Sequence, residues 1–316
     1  MLSEQGTALV FPGQGSQVVG MGSALSAAYD TARQTFEEAD DILGFALSRL
    51  CFEGPQETLT ETVNAQPALY VAGIAALRTL YETLGYSFKP AYVGGHSLGE
   101  LTALTAAGSL SFADGVQVVR RRGELMRDAG ENSPGGMAAL LGLDIEAAEA
   151  LCISTCAEIG GVLVVANDNC PGQVVIAGDN DSLSLALARA RDVGAKRAVR
   201  LPVSIAAHSP LMAHAAEEFQ ITLAVTQFAD PMIPIVGNIN ALPLTTADAI
   251  RADLRAQLIS PVRWTDSVRT MLKAGVATFI ELGSKDVLTG LLRRISHEAT
   301  GIVVDSPESI LTVQAL

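Results

Sequence analysis

Six residues, Gly95-His96-Ser97-Leu98-Gly99-Glu100, constrain this chain more than any other stretch. An apolar run, Ala91-Tyr92-Val93-Gly94, precedes them, and an Ala-rich helical run over 101–107 follows. A strand, a tight turn with serine at its apex and a helix make the G-x-S-x-G arrangement called a nucleophile elbow. With no Cβ at Gly95 or Gly99, the backbone can turn sharply and the helix can pack close to the strand. The serine then stands clear of the sheet, where a carbonyl can reach it. The helix N-terminus below offers unpaired N–H groups to a developing oxyanion. The competing reading is a tight structural turn. Either way strands must feed helices, and apolar strands alternating with Ala-rich helices along the chain predict an α/β fold.

The chain has 316 residues, 49% hydrophobic and 17% charged, ample for a large core in one large domain or two smaller ones. A net charge of −13 disfavours nucleic acid and anionic lipid, so no nucleic-acid or membrane partner is expected. An acidic partner would need a local basic patch. Lys285, Arg293 and Arg294 form one candidate, Arg120 and Arg121 another. The cysteines Cys51, Cys152, Cys156 and Cys170 come with no paired histidines, which argues against zinc. They read as reduced thiols of a cytoplasmic protein. No basic-then-apolar leader and no bilayer-length apolar run is found.

The pattern predicts a strand over 7–11, a glycine-rich loop over 12–17, and helices over 23–40 and 67–84. After the elbow, Ser111-Phe112-Ala113-Asp114 has capping-box form and opens a helix to about 128. The break at Ser133-Pro134-Gly135-Gly136 starts a β-α-β-β-α-β series: strands over 137–143, 162–166, 173–177 and 197–203, helices over 145–159 and 183–193. That is a ferredoxin-like unit. It divides the chain into a large domain, 1–132 with 204–316, and an inserted small domain, 133–203. The large domain resumes with Ser209-Pro210 opening a helix, a strand over 233–236, a helix capped by Thr246, a strand over 276–282, a helix to about 298 and a strand over 302–304.

A serine hydroxyl needs a base to become a nucleophile. Of the four histidines, His96 adjoins Ser97 on extended backbone, so its ring is expected to point away and to pack or hydrogen-bond beneath the elbow. His214 and His297 fall in amphipathic helices, as surface or satisfied histidines. His208 lies in the loop that re-enters the large domain, where catalytic side chains gather, and is the candidate base. On the 111–128 helix, Arg122 shares its face with Val118, Val119, Leu125 and Met126 and is aimed inward, while Arg120 and Arg121 fall on the solvated side. A buried guanidinium needs an anion, either an internal carboxylate or a substrate carboxylate held by its fork.

Five segments together give a specific resemblance. They are Phe11-Pro12-Gly13-Gln14-Gly15-Ser16-Gln17, the elbow, the stretch from Arg121 to Met126, the run Asn167-Asp168-Asn169-Cys170-Pro171-Gly172-Gln173-Val174-Val175-Ile176-Ala177-Gly178, and Ser260-Pro261-Val262-Arg263-Trp264. In this order, over essentially the whole chain, they resemble the malonyl-CoA:acyl-carrier-protein transacylases. The resemblance implies an α/β-hydrolase-like large domain with a ferredoxin-like insert. It implies ping-pong transfer of malonyl from the coenzyme A thioester to Ser97 and then to the phosphopantetheine thiol of an acyl carrier protein. By the same resemblance His208 is the base, Gln14 and Leu98 supply the oxyanion-hole N–H groups, Arg122 clamps the carboxylate with Met126 beside it, and Gln257 helps orient the histidine. It implies no metal or redox cofactor, only malonyl-CoA as acyl donor.

Two segments depart from the family. Gly283-Ser284-Lys285-Asp286 stands where Gly-Pro-Gly-Lys is usual. Ser204-Ile205-Ala206-Ala207, before His208, matches neither signature by which polyketide acyltransferase domains mark malonyl or methylmalonyl. Other readings are a trans-acting acyltransferase of a polyketide synthase or malonate-processing complex, a plain serine hydrolase, and a non-catalytic carrier-binding module.

Overall fold

The structure, a computed structural model, describes residues 4–85 and 88–315. Two sheets organise it. The first has six strands in the order Thr300–Val304, Thr278–Leu282, Thr7–Phe11, Tyr92–Gly95, Ile235–Val236 and Pro243–Leu244. All pairs are parallel except the last. Parallel strands need crossovers, and helices supply them on both faces, as an α/β fold requires. The second sheet is ordered Arg197–Arg200, Gly135–Leu141, Gln173–Asp179, Leu163–Cys170, with the short strand Val262–Arg263 added in parallel at the edge. Its first four strands and the helices Ile145–Ile159 and Asn180–Arg189 form the ferredoxin-like layer. The largest apolar cluster is packed around the helix Thr62–Leu84 and takes in residues of both sheets, while a separate one lies under the second sheet.

Register brings the functional loops together. Phe11 pairs with Gly95, so the glycine-rich loop and the elbow leave the same carboxyl edge of adjacent strands. The His96 N–H donates to the Phe11 carbonyl at 3.0 Å, pinning the two exits. Ligands of open α/β sheets bind at this edge.

Several elements differ from the sequence pattern for local reasons. The predicted 23–40 helix is two, Ser23–Ala28 and Asp30–Leu43, split where Tyr29 is extended. The 67–84 helix begins earlier, at Thr62, and carries Pro67 inside it. Proline cannot donate to the carbonyl four residues back, and Arg120 fills that gap by donating to the Val63 carbonyl at 3.1 Å. Short helices at Leu47–Glu53, Gln56–Thr60 and Pro307–Gln314 were not expected. The predicted turn over 167–172 is mostly strand: Leu163–Cys170 continues through it with bulges between Val165 and Asn167 and between Asp168 and Cys170. Bulges re-aim side chains, which matters for Asn167 and Asn169 below. The last predicted helix ends at Ile295, so His297 lies in an exposed bend rather than in a helix. That helix, Val287–Ile295, has no side-chain cap of its own. The buried Glu281 carboxylate, from the neighbouring strand, accepts its Leu288 and Thr289 N–H groups at 2.9 and 2.7 Å.

Candidate active site

The elbow is built by close approach. A Cβ on Gly95 would sit 1.9 Å from the Gly99 carbonyl carbon, and one on Gly99 would sit 2.0 Å from the Phe11 carbonyl oxygen. No other residue fits at either place, and the sharp turn follows. Ser97 carries its strain, with φ 51° and ψ −105°, a region L-residues avoid. Asn238 holds it there. Its Oδ1 accepts from the Ser97 N–H at 2.7 Å and its Nδ2 donates to the Gly95 carbonyl at 2.7 Å. Asn238 is fully buried in the loop after the strand Ile235–Val236.

His208 also sits at positive φ, 60°. Its Nε2 is 2.8 Å from Ser97 Oγ. Its Nδ1 faces the carbonyls of Gln257 at 2.8 Å and Ser260 at 3.2 Å. Two carbonyls can only accept, so Nδ1 carries the proton and Nε2 is free to take the serine's. Burial, and next the nearby Arg122 charge, push the imidazole down to about 3, so it is neutral at physiological pH.

Arg122 is 1% exposed. Its guanidinium donates to Gln66 Oε1 at 2.8 Å, to Gln257 Oε1 at 3.0 Å and to Ser97 Oγ at 3.1 Å. All three partners are neutral. Among the described residues it forms no ion pair, and its Nε has no hydrogen-bond partner. The internal-carboxylate reading of this arginine therefore does not describe it. Burial pulls it down to about 10 while Glu100 works the other way, so it stays charged at neutral pH.

Gln257 does two separate things. Its backbone carbonyl faces His208, as above. Its side chain turns elsewhere, donating through Nε2 to the Ser97 carbonyl at 3.1 Å and to Glu100 at 2.7 Å while Oε1 accepts from Arg122. Met126 lies one turn along from Arg122, with its sulfur 3.2 Å from Gln66 Nε2. Gln14 and Leu98 line the same pocket. Gln14's side chain donates to Thr62 at 3.0 Å, and neither backbone N–H donates to a partner among the described residues.

Gln14, Ser97, Leu98, Arg122, Met126 and His208 share a pocket of about 280 Å³, which Gln66, Asn238 and Gln257 do not line. Its far wall comes from the second sheet: Met137, Asn167, Asn169, Gln173 and Val175, with Leu201 to Val203 beside them. His96 hydrogen-bonds away from Ser97, but on the pocket side. It lines the pocket, with Nε2 2.8 Å from Asn169 Oδ1 and its ring 5.8 Å from that of Trp264. Arg120 and Arg121 are half-buried rather than fully solvated, both paired with Glu124. His214 is exposed. A neighbouring open groove of about 840 Å³ shares Leu201, Pro202, Val203 and Ile205 but holds none of the groups around Ser97. Sequence reasoning missed Gln66, Asn238 and Asn169. Gln66 had one usable signal, a buried amide on a helix otherwise apolar at that point.

Residues 8–306 match the family described as the acyl transferase domain. The malonyl CoA-acyl carrier protein transacylase of Bacillus subtilis is 44% identical over 310 residues, covering 98% of this chain and 96% of its own. The crystal structure of malonyl-CoA:acyl carrier protein transacylase from Xanthomonas oryzae pv. oryzae superposes with a TM-score of 0.95 at 39% identity, covering 99% of each chain. A malonyl-transacylase solved in complex with its type II PKS acyl-carrier protein gives 0.94 at 38% identity, covering 98% of this chain and 99% of that one. With sequence and backbone course agreeing over nearly the full length of both partners in each comparison, this chain belongs to the acyl transferase family and is an acyltransferase.

Proposed function

We propose that this enzyme moves a malonyl group from malonyl-CoA to the phosphopantetheine thiol of an acyl carrier protein, supplying extender units for fatty acid biosynthesis. The observation that carries the reading is Arg122: a buried cation 3.1 Å from the nucleophile, with only neutral partners and one donor unused. Glu100 acts on it only from beyond Gln257, so a free carboxylate on the acyl group is the directly bonded anion it lacks, and the guanidinium fork suits it.

Ser97 Oγ gives its proton to His208 Nε2 and attacks the thioester carbonyl. The Gln14 and Leu98 N–H groups hold the oxyanion. On collapse the C–S bond breaks and the coenzyme A sulfur takes the proton from His208. The carrier thiol then gives its proton to His208, attacks the acyl-serine and releases Ser97 by the same path reversed. Malonyl-CoA enters as substrate, and no metal or redox cofactor takes part in this scheme. A malonyl carboxylate on Arg122 also offsets one of the causes that, after burial, weaken His208, so the base strengthens when the matching acyl group is bound. Lys285, Arg293 and Arg294, exposed beside the pocket residues Val287 and Leu291, are where an acidic carrier would dock. Four free thiols support a cytoplasmic site of action. The Ser204–Ala207 segment leaves the malonyl preference to Arg122 rather than to a signature.

Arg122→Ala should cut malonyl transfer at least roughly tenfold, the loss of a charge-assisted pair, while acetyl transfer falls much less or rises. The measurement is the acylation rate with both thioesters beside a thermal melt. Equal loss for both acyl groups with a lowered melting point would make Arg122 a structural residue and remove the support for malonyl.

A further inference from the structure

Behind Gln257 lies a pair of acids that the transfer chemistry leaves unused. Glu100, from the first turn of the elbow helix, is 0% exposed, and Asp253, one turn before Gln257 on the helix Ala247–Gln257, is 6% exposed. The two carboxyls interact directly. Glu100 Oε2 accepts from Gln257 Nε2 at 2.7 Å, but Glu100 Oε1 and Asp253 Oδ2 are both buried without a donor. Two unsatisfied acceptors on neighbouring buried acids have one economical solution, a single proton that one oxygen donates to the other. The groups facing the pair agree. They are the Asn238 and Ile239 backbone N–H groups, the Gln257 amide and, beyond it, Arg122. One positive charge and several donors can balance one negative charge; two ionised carboxylates would be left uncompensated in a dry interior. Burial raises both acids above the usual carboxylate range, and Asp253 raises Glu100 further while the hydrogen bond to Glu100 works the other way at Asp253.

We propose that Glu100 and Asp253 share one proton and act as a positioning pair that fixes the Gln257 amide, and through it the Arg122 guanidinium. The link is the amide's two-sidedness. While the Glu100 oxygen facing Gln257 is an acceptor, Gln257 must turn its N–H there, and only then does Oε1 face Arg122. A flipped amide would set N–H against N–H at the guanidinium. The Asp253 end of the pair reaches the Asn238 backbone, whose side chain grips the elbow, so one proton couples the clamp to the turn that holds the nucleophile. This rests on the malonyl reading for the role of Arg122, but not for the proton itself.

The test has two arms on the full-length protein. The first needs no substrate. If the pair holds a proton that the unfolded chain releases, stability falls as pH rises above the ordinary carboxylate range, and Asp253→Asn, whose amide supplies a permanent N–H, removes that component. We expect unfolding of the variant at pH 7 to release about one proton fewer than wild type, read from the pH dependence of the urea midpoint. Equal proton release by the two proteins would overturn the shared proton. The second arm is kinetic. Glu100→Met should raise KM for malonyl-CoA about tenfold with a smaller change in kcat and little change for acetyl-CoA. Glu100→Gln, which can still accept from Gln257, should recover most of that loss. Equal losses for both thioesters, or no rescue by Gln, would overturn the positioning role. Should Glu100→Met fail to fold, Glu100→Gln repeats the proton count and carries the first arm alone. Failure of malonyl-CoA to label wild-type Ser97 would strike the functional reading and leave the proton count standing.

Discussion

The pocket has two walls built on different physical terms. The wall raised by the first sheet is a hydrogen-bonded lattice: Asn238 grips the elbow, His208 is held by two carbonyls, and Gln66 and Gln257 hold Arg122. Two of its residues, Ser97 and His208, sit at positive φ, a cost of roughly 1–3 kcal/mol each that the lattice sustains. The wall from the second sheet is Met137 and Val175 with the amides of Asn167, Asn169 and Gln173, carried on a bulged strand. The difference separates labour. Hydrogen bonds fix the geometry around Ser97 on one side, and apolar and amide side chains shape the pocket on the other.

Breaking the lattice should cost most. His208→Ala should slow acylation by roughly a hundredfold to ten-thousandfold, the range for a lost general base. Rapid-quench acylation with malonyl-CoA measures it, and a rate near wild type would move the base elsewhere. Arg122→Ala should also displace the acid limb of the pH profile. After burial, Arg122 is the next cause of the depressed His208, so removing it leaves the protonated imidazole less strongly opposed and the limb moves to higher pH. The profile of acetyl transfer, which does not need the clamp, reads this; an unmoved or lowered limb would contradict it.

The second wall should be forgiving. Met137→Leu keeps volume and apolar character, and we expect less than about a threefold change in kcat/KM for malonyl-CoA. A larger loss would mean that this wall, too, sets geometry. The smallest effect is at the pocket rim. Lys285 takes φ 64°, a left-handed conformation that glycine adopts without strain, and its Nζ reaches the Gln17 carbonyl only at 3.5 Å. Lys285→Gly should raise unfolding stability by about 0.5–1 kcal/mol, the left-handed penalty less the entropy of glycine. A denaturant melt checks it, and lower stability would show that the lysine contact outweighs its strain.

Much of the first wall was legible in the sequence, because its constraints are local. Gly95 and Gly99 announce the turn, the heptad-like run from Val118 to Met126 turns Arg122 inward, and Ser209-Pro210 marks the loop holding His208. Partners separated by long stretches were not. Asn238 reaches Ser97 across 141 residues and Gln257 reaches Ser97 across 160, and nothing in either local sequence announces such a contact. Gln257 was named by resemblance as an orienter of the histidine. In the structure its main chain faces His208 while its side chain serves Arg122, a division that no residue letter can encode. The asparagine-rich run over 167–172 reads as a turn because asparagine and proline favour turns. Pairing with Gln173–Asp179 overrides that preference and leaves bulges instead. His297 lost its helix because Ser296 caps it early.

The most direct test of the central claim, that one wall selects a malonyl group and transfers it through Ser97, is intact-protein and peptide mass spectrometry after brief mixing with equal malonyl-CoA and acetyl-CoA. We expect a single malonyl adduct on the Ser97 peptide in wild type, discharged on adding carrier thiol, and none in Ser97→Ala. An adduct on another residue, persistence of the malonyl adduct in Ser97→Ala, or equal labelling by acetyl would contradict it.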